Sequence, residues 1–182
     1  MTFDNAHTNK MLIAGGVITI AAMAAMARAK VVKIASRYVG EQEIQKNQGF
    51  QNKAFQYLLE NYGWIKGQPW CMSFLKAIYS LAYPEKKQAI NLIHPHSQIT
   101  LRNFLNAGYR LHKKPKRGDI AIFQNVVNGT PQNSGHGAIV TASTGMFFTT
   151  IEGNWTDKVS RKTRILNYNL NHGLRLKGFI RL

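Results

Sequence analysis

The chain has very little cysteine, acid or proline: among its 182 residues there is one Cys, five Pro and eight Asp and Glu against 24 Lys and Arg. A lone cysteine excludes any intramolecular disulfide, so the fold must be held by its core, and it leaves one thiol free for chemistry. The scarcity of acid works against metal binding. His94-Pro95-His96 is the only tight histidine pair, and it has no Cys or acidic partner close by, so no metal site and no cofactor are expected. The formal net charge of +16 and a pI near 10.2 imply a polyanionic neighbour. Nucleic acid, anionic lipid and the anionic polymers of bacterial walls all satisfy that demand through counterion release, and composition does not choose among them.

No uninterrupted apolar run reaches comfortable membrane-spanning length. The longest, Met11 to Ala27, is 17 residues with Thr19 as its one polar side chain, flanked by Lys10 and by Arg28, Lys30, Lys33 and Arg37. As a helix it would be about 25 Å long at ~1.5 Å per residue, short of a typical hydrocarbon core. A weak membrane anchor is the favoured reading. A leader cleaved at Ala25-Met26-Ala27 and a helix packed on protein are the alternatives. The heavier positive flank follows the run, which by the positive-inside rule would hold the remaining chain on the cytoplasmic side. Residues 1–30 are therefore expected to form an appendage, and residues 31–182 one folded domain.

Within that domain the pattern changes from helical to extended. Residues 30–62 have apolar positions at helical spacing around a break at Gly40. Pro69 suits the first turn of a further helix, on which Cys71, Phe74, Leu75, Ile78 and Ala82 share a face before Pro84 ends it. Residues 85–117 read as helix and loop, ending in the basic run Lys113-Lys114-Pro115-Lys116-Arg117. Beyond Gly118-Asp119, strands are expected over residues 120–124, 136–143, 147–154, more weakly 163–168, and 176–182. The fold class is α+β, with N-terminal helices packed on a C-terminal antiparallel sheet and preceded by a hydrophobic N-terminal helix.

A thiol at a helix N-terminus lies at the positive end of the macrodipole, which favours thiolate and places backbone N–H groups where an oxyanion would develop. Cys71 has that position, and His136, opening a strand after a Gly/Ser/Asn-rich loop, is the best-placed base. The next strand ends in Ile151-Glu152-Gly153-Asn154-Trp155. Glu152 and Asn154 share one face of it, and a hairpin turning near Thr144-Gly145 returns that end to His136. Either residue can orient the imidazole. A loop of odd length, or a bulge, is required for His136 to meet them.

Taken in order, Val39-Gly40-Glu41-Gln42-Glu43-Ile44, Pro69-Trp70-Cys71-Met72-Ser73-Phe74, Gly118-Asp119-Ile120-Ala121-Ile122-Phe123, Gly135-His136-Gly137-Ala138-Ile139-Val140 and Glu152-Gly153-Asn154-Trp155 resemble the CHAP family of cysteine, histidine-dependent amidohydrolases and peptidases, over roughly residues 31–182. The resemblance implies a papain-like core and hydrolysis of peptidoglycan amide bonds. It makes Cys71 the nucleophile, His136 the general base, Glu152 the orienting acid and Asn154 an auxiliary polar group. It further implies a bacteriophage lysin or virion-associated lysis protein acting in the cell envelope, with the N-terminal segment on a membrane. The acidic calcium loop of some members and a separate wall-binding domain are not readable. A reading from another class is a membrane-anchored basic structural or nucleic-acid-binding virion protein on an inactive hydrolase fold.

Overall fold

The computed structural model describes the backbone of residues 11–13 and 16–182, with side chains from Thr19 onward. Two short strands, β1 (Met11–Ile13) and β2 (Gly16–Ile18), pair antiparallel. Helix α1 follows over Ile20–Ser36, opened by Thr19, whose hydroxyl accepts the Ala22 N–H at 3.2 Å. This corrects the expectation of one hydrophobic helix over residues 11–27: β-branched Val17 and Ile18 go to a strand, and the Thr19 cap starts the helix late. Residues 1–10 of the expected appendage, with Ala14 and Gly15, lie outside the described residues. No helix among the described residues is long and apolar enough to cross a membrane. Helix α1 also runs through position 30, and its second half buries Val31, Val32, Ile34 and Ala35 in the main core.

Four more helices precede the sheet: α2 (Lys53–Asn61), capped by the Asn52 side chain, α3 (Cys71–Ala82), α4 (Lys87–Asn91) and α5 (Ser97–Asn106). Five antiparallel strands follow, namely β3 (Ile120–Val127), β4 (Thr130–Thr144), β5 (Phe147–Trp155), β6 (Lys158–Ile165) and β7 (Gly173–Ile180), in the spatial order β6-β5-β4-β3-β7. This is the expected α+β arrangement of helices on an antiparallel sheet. Strands β4 and β6 begin earlier than their hydrophobic pattern suggests, because tight turns set their starts. Asn128-Gly129 and Thr156-Asp157 all have positive φ, the backbone that two-residue hairpins require.

The sheet buries both faces. Ile120, Ile122, Ile139, Ile151, Val159 and Ile180 face α1 and α3 in the larger core. Ala121, Phe123, Ala138, Val140, Phe148, Leu176 and Phe179 fill the other face under Leu166, Tyr168 and Leu174. Around the start of α3, Phe50, Phe55, Phe74 and Trp70 stack edge to face at 5.0–6.4 Å. The Trp70 indole N–H donates to buried Glu43 at 2.5 Å, so the residue before Cys71 is held by packing and by a hydrogen bond.

Candidate active site

Two glycines allow α3 to lie against the sheet. A Cβ on Gly137 would stand 2.5 Å from Met72 Sδ and 2.6 Å from Leu75 Cδ1, and one on Gly153 would stand 2.7 Å from Phe74 Cβ. Each glycine directly follows a residue of interest, His136 or Glu152. The absence of a side chain there is what lets the helix N-terminus, and with it Cys71, approach the imidazole.

The register of β4 on β5 decides whether His136 and Glu152 meet. Thr144 pairs with Phe147 across a two-residue turn, and that ladder, continued unchanged, would put the two side chains on opposite faces. It does not continue. Val140 pairs with Thr150 and Ala142 with Thr149, leaving Thr141 as an extra residue. Of the two devices expected, odd loop or bulge, the bulge is the one present. It returns His136 to the face that carries Phe148, Thr150 and Glu152.

On that face His136 Nε2 lies 3.0 Å from Glu152 Oε2. The remaining ring nitrogen, Nδ1, is left to the Cys71 sulfur, which also faces the backbone N–H groups of Met72 and Gly137. Burial pushes the Cys71 thiol up, but the His136 charge and hydrogen bond, with the two N–H groups, outweigh it and the thiol is acidified. Burial pushes His136 down, yet Cys71 and Glu152 together hold it at about 9. Burial opposes ionisation of Glu152 as well, and hydrogen bonds from His136 and Arg164 bring it to about 2. Together these shifts favour the thiolate form of Cys71, the imidazolium form of His136 and the carboxylate form of Glu152. Such an arrangement can carry nucleophilic attack by sulfur and proton exchange at Nδ1.

Asn154 is not part of this contact network: among the described residues no hydrogen bond joins it to His136. What it supplies is backbone, with φ 58° where the β5–β6 ladder breaks between Glu152 and Trp155, a conformation that Asn tolerates better than most residues. Two neighbours of the site, Arg164 and Thr150, lie outside every sequence motif. Arg164 donates to both Glu152 oxygens and Thr150 donates to Oε1 at 2.5 Å, while Trp155, from the Glu152-Gly153-Asn154-Trp155 motif, meets the His136 ring edge to face at 5.7 Å. Only strand alternation on β6 opposite β5 could have found Arg164, because Phe148 pairs with it across the ladder.

Beside Cys71 opens a cleft of about 270 Å³ lined by Gln68, Pro69, His94, Pro95, His96, Ser134 and Gly135. His94 and His96 are thus walls of the cleft, and no cluster of His, Cys, Asp or Glu able to hold a metal ion occurs among the described residues.

The family model of the CHAP domain matches residues 61–154, just over half of the chain. The chain belongs to the CHAP-domain family. As a CHAP domain it is a hydrolase of the cysteine peptidase or amidase type, and the matched stretch holds Cys71, His136 and Glu152. Arg164 lies beyond the end of the CHAP match. No curated protein and no solved structure matches the chain.

Proposed function

We propose that this CHAP domain hydrolyses peptidoglycan amide bonds through a thioester on Cys71. The observation that carries the reading is the single imidazole shared between the α3 N-terminal thiol and a fully buried carboxylate. The thiolate adds to the amide carbonyl, forming the C–S bond. The N–H of Cys71, in the first turn of α3, has no intrahelical partner and is free to bind the oxyanion. His136 Nδ1–H protonates the departing amine as the C–N bond breaks. Water then adds to the thioester with neutral Nδ1 as base, the C–S bond breaks, and the acid product leaves behind the original thiolate and imidazolium.

Family membership supports the substrate class, and the site geometry supports the mechanism. A lysis or wall-penetrating role of the phage-lysin kind fits a small domain with a large basic surplus. We place the protein at an anionic envelope surface through α1, whose first half exposes Ile20, Met23 and Met26 just ahead of Arg28, Lys30 and Lys33. The test of the activity is release of free amino groups from purified peptidoglycan by the full chain and by Cys71→Ala. Release by the wild type and none by the variant is expected, and equal release by the two would defeat the reading.

A further inference from the structure

The Glu152 side chain is completely buried, yet it receives four hydrogen bonds: from His136 at 3.0 Å, from Thr150 at 2.5 Å, and from Arg164 Nε at 2.9 Å and Nη2 at 2.6 Å. The guanidinium is itself clamped, 4.1 Å from the Trp155 ring and 5.2 Å from the Phe123 ring, and its side chain is only 16% exposed. Two aromatic faces and a bidentate fork leave it one orientation. The charged and titratable groups around this pair are His136 from β4, Lys162 from β6 over Trp155, and, on the cleft side of Cys71, His94 and His96, with Glu43 behind Trp70.

Of the two cations on Glu152, one is temporary. His136 must lose its proton to the leaving amine, and for the whole lifetime of the thioester it has to be neutral to activate water. If it were the only partner, Glu152 would at that stage be a buried carboxylate with no counter-charge, and such a group takes up a proton. A protonated Glu152 would donate to Nε2. The imidazole proton would then sit on Nδ1, facing the thioester, and the base would be lost.

Resting on the hydrolase reading above, we propose that Arg164 is a positioning residue that keeps Glu152 an ionised, acceptor-only carboxylate through the cycle, so that His136 always holds Nε2–H toward Glu152 and presents Nδ1 to Cys71. Thr150, donating to Oε1, fixes the same carboxylate plane. Hydrolysis of the thioester depends on this more than its formation does, because only the second step needs the neutral imidazole as base.

The test compares full-length wild type, Arg164→Met, Arg164→Lys, Glu152→Gln and the Glu152→Gln/Arg164→Met double variant by two readouts. The first is the pH dependence of Cys71 alkylation by iodoacetamide, which needs no substrate. Losing the fixed cation should move the Arg164→Met profile up by about one pH unit, with Arg164→Lys in between. The second is turnover on peptidoglycan, where Arg164→Met should lose about 100-fold with acyl-enzyme accumulating, Arg164→Lys should recover part of it, and in the Glu152→Gln background the Met substitution should cost almost nothing further. A merely structural pin between β5 and β6 would instead give an unshifted alkylation profile and the same fold-loss in both backgrounds, and either result overturns the proposal. Should Arg164→Met not fold, Arg164→Gln removes the charge with similar bulk and is judged on the same two criteria. A wild type that leaves peptidoglycan intact while the alkylation shift persists would sink the hydrolase reading and leave the role of Arg164 standing.

Discussion

His136 Nε2 and Glu152 Oε2 stand 3.0 Å apart across a β-bulge at Thr141, and this contact leaves Nδ1 as the ring nitrogen available to Cys71. The two residues are on neighbouring strands, and the extra residue is what puts them on one face of the sheet.

Glu152 and Asn154 should therefore respond differently to substitution. Glu152→Gln keeps the shape but removes the charge that supports the imidazolium, and kcat on peptidoglycan should fall by about 10²- to 10³-fold with KM little changed. Asn154→Gly, at φ 58°, should fold with a melting temperature close to that of the wild type and keep most of the turnover. Equal losses from the two substitutions would contradict this separation of roles.

The ionisation pattern sets a pH window. Glu152 is depressed from an unfolded value of ~4.3 to about 2, so its stabilising contribution is present above about pH 4 and is lost as pH falls toward 2. His136 is raised from ~6.5 to about 9, so its contribution is present below about pH 6.5 and is lost as pH rises through 9. Denaturant midpoints measured across pH should decline at both ends. In the Glu152→Gln variant the acid-side decline should be shallower. For activity, the alkaline limb should fall near pH 9, where His136 loses the proton it gives to the leaving amine.

Adding one methyl group at the helix–sheet contact should harm the site without touching its chemistry. Gly137→Ala places a Cβ against Met72 and Leu75, and Gly153→Ala places one against Phe74 and Trp70. Each should destabilise by about 1–3 kcal/mol in chemical unfolding. By levering the start of α3 off β4 and β5, each should also slow alkylation of Cys71 at neutral pH. Wild-type alkylation in both variants would show that close approach is not what acidifies the thiol.

The envelope placement is checked with vesicles. The full chain should co-sediment with phosphatidylglycerol vesicles at low salt, much less at high salt, and weakly with phosphatidylcholine. The Met23→Asp/Met26→Asp double variant should bind at least about tenfold more weakly, because it charges the exposed apolar surface of α1. Binding to both lipids alike, or unchanged binding by the double variant, would remove α1 from this role.

Much of this architecture could be read before any tertiary contact was known. Helical spacing after Pro69 placed Cys71 at a helix start, and alternation placed His136 and Glu152 on strands, because local periodicity reports which face of an element is buried. Hydropathy alone misplaces the N-terminal helix, because it measures apolarity and not the local start that the Thr19 cap imposes. Strand β6 was faint because its pattern of Lys158, Ser160, Arg161, Lys162 and Arg164 is polar, and an edge strand paired on one side needs little apolar surface.

By itself the amino-acid sequence determined the lone thiol, the α+β order, the large positive charge, and the residue types that can run acyl transfer. These are properties of composition and of short-range pattern. Only the tertiary structure decided between Glu152 and Asn154 as the partner of His136 and brought in Arg164, which is remote from any motif. Both outcomes depend on strand register, and register is set by one extra residue at Thr141 and by pairing between β5 and β6, contacts that no local window of sequence contains.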